Sequence, residues 1–243
     1  MKPADRSPGD GQRLNGLGEA LAGFGGGYVL SAVAVAVATG ITGYKVAKGQ
    51  PIPLGVLGAS LCGLWVGLVG AAVVVSHRNG TGSLRRDYGL SAKWWDVPLG
   101  LVTGPACQFG LIPLLYWPFE QFDKSLSHQL SRPAQADTGS VHTVGALVVI
   151  LLLIAVGSPL FEELFFRGLL LRTLMKRVGP PLAIVITGLL FALAHFEAVQ
   201  FAGLAVFGIV LGVLAWRTQR LAASIAAHMA FNASAVISLT HLH

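Results

Sequence analysis

Seven stretches of this 243-residue chain are long and apolar enough to cross a bilayer, and no other feature limits its fold as strongly. A spanning helix needs about 20 apolar residues at ~1.5 Å each. The stretches run over about 21–43, 52–75, 97–117, 148–171, 181–197, 200–216 and 221–240. Charged residues make up 12% of the chain, roughly half the ~25% of soluble domains. The expected fold is an all-α, polytopic membrane helix bundle of about seven transmembrane helices. A soluble cytosolic enzyme, a disordered regulator and a DNA-binding domain are excluded. Cys62 and Cys107 sit in apolar runs and are too few for a disulfide scaffold or a cysteine-built zinc site.

Basic residues set the expected orientation. Thirteen of the seventeen Lys and Arg fall on one side: three in the tail (Lys2, Arg6, Arg13), four around 78–93, four over 167–177, and Arg217 with Arg220. Lys45, Lys48, Lys124 and Arg132 fall on the other. The positive-inside rule then places the N-terminus in the cytoplasm and the C-terminus outside, in what is expected to be the plasma membrane. The net charge of +6 is accounted for by topology, so no nucleic-acid partner is expected.

Three regions follow: a short cytoplasmic tail over 1–18, membrane helices and loops over 19–140, and a C-terminal helical core over 141–243. The pairs Gly63/Gly67 and Gly208/Gly212 have G-x-x-x-G spacing and are expected to pack helices within one bundle. Residues 120–138 read as either an interfacial helix or an external loop.

The informative residues are those lipid should reject. Glu162 and Glu163 lie well within an apolar helix, and His195 and His228 lie inside two others. An ionisable group in a bilayer costs at least about 2.5–3.5 kcal/mol on insertion scales. Helical rise from cytoplasmic markers puts Glu162, His195, His228 and Asn232 at similar depth, roughly 12–21 Å in. Three helices thus bring unusual side chains to one level, as a shared polar cavity would require. Glu163 and Arg167 are four apart, so Arg167 is expected to neutralise Glu163 and leave Glu162 free. Ser158-Pro159 reads as a helix restart with Ser158 as cap. His228 and Asn232 share a helix face, and Phe191 lies one turn from His195.

A buried carboxylate beside a histidine can deprotonate water, while His and Asn can donate hydrogen bonds to an oxyanion. Together they suit amide hydrolysis without a serine or cysteine nucleophile. The same parts could form a metal site, with Glu162, His195 and His228 as ligands to a divalent ion such as zinc. The H-E-x-x-H pattern is absent. Gly58-Ala59-Ser60 is only a fragment of an intramembrane serine protease pattern and suits helix packing.

In order, Glu162-Glu163…Arg167, Phe191…His195 and His228…Asn232 resemble the E-E-x-x-x-R, F-x-x-x-H and H-x-x-x-N/D motifs of the CAAX protease and bacteriocin-processing (CPBP) family. The resemblance covers about residues 155–235. It implies an intramembrane endopeptidase acting on a membrane protein or peptide. Glu162 and His195 would activate water, His228 and Asn232 would stabilise the oxyanion, and Glu163, Arg167 and Phe191 would support them. The glutamate-type reaction is favoured over the metal-dependent form because Asn suits hydrogen-bond donation better than ligation. Family members commonly have about eight spans, one more than the hydropathy shows here. A non-enzymatic membrane adaptor or immunity protein and a proton-coupled carrier are the competing readings. The oligomeric state is not legible in the sequence.

Overall fold

A computed structural model describes residues 16–45, 47 and 50–240; residues 1–15 of the tail, Lys48, His241 and His243 lie outside the described residues. Nine helices follow one another among those residues, with no strand. They are α1 (Leu17–Thr42), α2 (Leu54–Asn79), α3 (Leu84–Tyr88), α4 (Asp96–Glu120) and α5 (Leu126–Thr138). Then come α6 (Val144–Val178), α7 (Pro180–Leu193), α8 (Phe201–Thr218) and α9 (Ala222–Thr240). Residues 120–138, open between two readings in the sequence, thus contain a 13-residue helix.

Six of the helices are long and apolar enough to cross a membrane. The chain is an integral membrane protein. The seventh expected span, 181–197, is a correction. Its helix, α7, has 14 residues and stops at Leu193. That is about 21 Å of helix against a hydrocarbon core of about 30 Å. Hydropathy continues through Ala194, but the backbone turns, and such a turn is tolerated at membrane depth where protein surrounds it.

Glycine seams fix the helix pairs. A Cβ at Gly67 would overlap the backbone of Gly27, one at Gly23 would overlap Ala71, and one at Gly63 would lie 2.6 Å from the Ser31 nitrogen. Across α7–α8, a Cβ at Gly208 would lie 2.9 Å from the Gly188 Cα. The G-x-x-x-G pairs therefore pack inside the bundle, as expected. Ser60 shares a 2.9 Å hydrogen bond with Ser31 across α1–α2, a packing contact.

At one end of the bundle, Arg220 clamps Asp96 through two 2.7 Å hydrogen bonds. Arg172 donates to the Gln219 carbonyl at 3.1 Å. Burial alone would raise the Asp87 carboxyl, but hydrogen bonds from Ser76 and Thr81 outweigh it and hold the group below its ordinary range. This end collects the basic connections. The core is built around residues 164–174 of α6, with Phe191, Phe207 and Leu211 from the α7–α8 hairpin.

Candidate active site

The long helix α6 carries the two carboxylates, and its local geometry departs from a regular α-helix. Residues Leu151–Gly157 and Leu164–Leu170 are π-helical, flanking an α-helical turn over Ser158–Glu163. Such segments are commonly found at functional sites. Pro159 explains the first. In the π register the Ser158 N–H donates to the Leu153 carbonyl. The next donor in that register, for the Ile154 carbonyl, would be Pro159, which has no N–H. Asn232 of α9 fills the gap, donating from Nδ2 to the Ile154 oxygen at 2.9 Å.

One sequence expectation changes here. Ser158 is not a cap: the helix runs straight through it in αR conformation, with no side-chain capping bond. Glu162 is therefore in mid-helix. Asn232, read as an oxyanion donor, commits one amide N–H to the backbone, and the second remains.

The expected Glu163–Arg167 pair forms as predicted, at 2.8 Å with both side chains fully buried. The same Glu163 oxygen meets His228 Nδ1 at 3.1 Å. Arg167 also donates to the Gly208 carbonyl at 2.9 Å and lies over the Phe191 ring at 4.6 Å. Glu163 thus fixes both a cation and a histidine, one turn away on α6 and across on α9.

Glu162 is left without a hydrogen-bond partner among the described residues, its Oε2 buried. That oxygen lies 4.0 Å from His228 Nε2, with the Glu162 side chain 12% exposed. His228 therefore presents one nitrogen to Glu163 and the other towards Glu162. Phe191 packs edge-on against both histidines, at 4.7 Å from His195 and 5.4 Å from His228.

His195 lies two residues beyond α7, not inside a helix. Its Nδ1 is 2.8 Å from the Phe191 carbonyl. A carbonyl can only accept, so Nδ1 carries a proton, and in the neutral ring Nε2 is then the acceptor. Among the described residues no hydrogen bond or ion pair joins His195 to Glu162.

Among the described residues no three His, Cys, Asp or Glu side chains come together as metal ligands. Each histidine has Nδ1 engaged, which leaves Nε2 as the nitrogen open to a water or a ligand.

Residues 144–234 match the family model described as Type II CAAX prenyl endopeptidase Rce1-like. This segment is similar to the Rce1-like family. It contains every residue of the three motifs, and the family implies a CAAX-type intramembrane protease in general. No curated protein and no solved structure matches the chain.

Several groups around the Rce1-like segment gave no readable signal. A cavity of about 710 Å³ opens between α1 and the α6–α7 face, lined by Phe24, Phe165, Phe166, Leu190, Phe196 and Glu197 among others. Tyr28 of α1 donates to the Ala194 carbonyl, beside His195. The Trp65 indole nitrogen is buried without a partner among the described residues, its ring 4.8 Å from that of Phe161. Outside the spans, burial and then the charge of Glu197 push the Asp137 carboxyl up to about 6.

Proposed function

We propose that the chain is an intramembrane endopeptidase of the glutamate type, hydrolysing a peptide bond of a membrane-associated protein or peptide. The observation that carries this reading is the division of labour between adjacent carboxylates. Glu163 binds both Arg167 and His228 through Oε1, while Glu162, one residue away, makes no hydrogen bond among the described residues and holds its buried Oε2 4.0 Å from His228 Nε2.

Glu162 takes a proton from a water molecule that the free Nε2 of His195 helps to hold. The water oxygen attacks the peptide carbonyl carbon, and the carbonyl oxygen becomes an oxyanion. His228, doubly protonated with Nδ1 on Glu163, offers its Nε2–H to that oxygen, and the second N–H of Asn232 is the further donor. Glu162, Glu163, Arg167 and His228 then sum to zero charge, which suits a site of low dielectric. Collapse of the intermediate breaks the C–N bond, and Glu162 returns its proton to the leaving amine. The products are one carboxylic acid and one amine. The apolar cavity beside Ala194 and Phe196 would take up an apolar stretch of the substrate.

The test compares protein termini in membranes of cells carrying wild type or Glu162→Gln at matched abundance. New termini in the wild type that disappear in the variant support proteolysis. Identical termini in both, with the variant still complementing a deletion, favour the adaptor reading.

A further inference from the structure

We propose that Tyr28, on α1 and outside the Rce1-like segment, is a positioning residue that fixes the tautomer and direction of His195. This inference rests on the role given to His195 in the proposed reaction.

Its starting point is the end of α7. The last carbonyls of a helix have no intrahelical donor, so a side chain that reaches one supplies a bond the helix itself does not make. Leu193 is the last residue of α7, and the Ala194 carbonyl follows it. The Tyr28 hydroxyl donates to that carbonyl across 166 residues of sequence. On the other side of His195, Phe196 has φ of +53°, a left-handed conformation uncommon outside glycine. Such backbone persists where its surroundings hold it, and the Phe196 ring packs edge-on against Tyr28 at 5.3 Å. One side chain therefore grips the residue before His195 and the residue after it.

Tyr28 is itself held rigidly. The Gly23/Gly27 face of α1 lies against Gly67 and Ala71 of α2 so closely that no Cβ fits. Phe24, one turn away, packs on the Tyr28 ring at 5.0 Å and on Phe165 of α6 at 5.9 Å. Tyr28 thus ties the turn to the frame that also holds the carboxylate helix.

The consequence falls on the imidazole. The bond from Nδ1 to the Phe191 carbonyl needs the turn to hold the ring back over α7. It leaves Nε2 as the acceptor that the proposed water requires. A histidine freed from such a bond prefers its proton on Nε2 and loses that acceptor.

The experiment uses full-length protein in detergent micelles with ¹³C,¹⁵N-histidine, the His195 signals being assigned by their loss in His195→Gln. In the wild type, His195 is expected as the neutral tautomer protonated at Nδ1. Tyr28→Phe, which removes one hydroxyl and keeps the ring, is expected to move the tautomer ratio at least about fivefold towards Nε2–H. Tyr88→Phe, which removes a hydroxyl bonded to the Ala72 carbonyl, away from the His195 turn, is expected to leave the ratio unchanged. Unchanged His195 signals in Tyr28→Phe, or an equal shift in Tyr88→Phe, overturn the proposal. If Tyr28→Phe does not yield folded protein, 3-fluorotyrosine at position 28 strengthens the donated bond. It should then shift the Ala194 carbonyl carbon resonance, and a resonance that stays put overturns the proposal.

No step of this readout needs a substrate, so it is separable from the proteolysis test. A tautomer shift with no Glu162-dependent termini keeps the positioning role and removes the protease reading. Glu162-dependent termini with an unmoved tautomer do the reverse.

Discussion

Arg167 is among the largest fully buried side chains of the molecule, and its partner Glu163 is equally sealed. Breaking such a pair from one side leaves an uncompensated charge, at about 3–5 kcal/mol. Arg167→Met should therefore lower stability by that order, seen as a drop in unfolding midpoint in micelles. Glu163→Gln combined with Arg167→Met should recover part of the loss, because no lone charge remains. The i, i+4 spacing made this pair legible in the sequence. His228 as a third member was not, since it comes from α9, 65 residues away.

Asp137 behaves in the opposite way. Its carboxyl is raised to about 6 by burial and by the nearby Glu197, so the folded state binds its proton more tightly than the unfolded chain does. Its ionisation then costs stability as pH rises from about 4 through 6. Asp137→Asn should raise stability at pH 7 by on the order of 1–3 kcal/mol, the upper end applying without solvent screening. The gain should vanish below about pH 4, as melting curves across that range would show. A gain that persists at pH 3.5 would point to packing instead of charge.

At the scale of single helices, the turn around Pro159 joins fold and site. Asn232 satisfies the carbonyl that Pro159 leaves bare, so the two residues should be coupled in stability. Asn232→Leu should cost about 1–3 kcal/mol through the orphaned Ile154 oxygen. Pro159→Ala restores an N–H to α6, and in that background the same substitution should cost clearly less. A double-mutant cycle read by denaturation checks this; equal costs in the two backgrounds would sink it. Ser158-Pro159 is a start signal in a soluble helix, which is why the sequence reads as a restart. Within a bundle in lipid the helix continues, because a neighbouring side chain supplies the missing donor. The apolar seams were legible because Gly63/Gly67 and Gly208/Gly212 keep strict spacing. The contact of Tyr28 with the His195 turn was not, because one aromatic in an apolar helix carries no pattern.

For the whole molecule, the short α7 determines how the site meets its surroundings. α7 and α8 form a hairpin whose two outer ends, near Pro180 and Arg217, sit with Arg172, Asp96 and Arg220 at one end of the bundle. Its tip, residues 194–200, stops roughly 9 Å short of a full crossing by helical rise. The space above is roofed by α5, whose Leu130 carbonyl accepts from Gln200 Nε2 at 2.6 Å. The positive-inside rule puts the basic end in the cytoplasm, so the tip should be reached by water from outside, past α5. Single cysteines in a background lacking Cys62 and Cys107 can decide this. With a membrane-impermeant maleimide on intact cells, Lys124→Cys should react, Arg86→Cys should not, and Ala198→Cys should react more slowly than Lys124→Cys. Loosening α5 by Gln200→Ala should speed the reaction at Ala198→Cys several-fold while leaving Lys124→Cys unchanged. Labelling of Arg86→Cys instead would invert the bundle. An Ala198→Cys that reacts only after permeabilisation would place the entrance to the site on the cytoplasmic side.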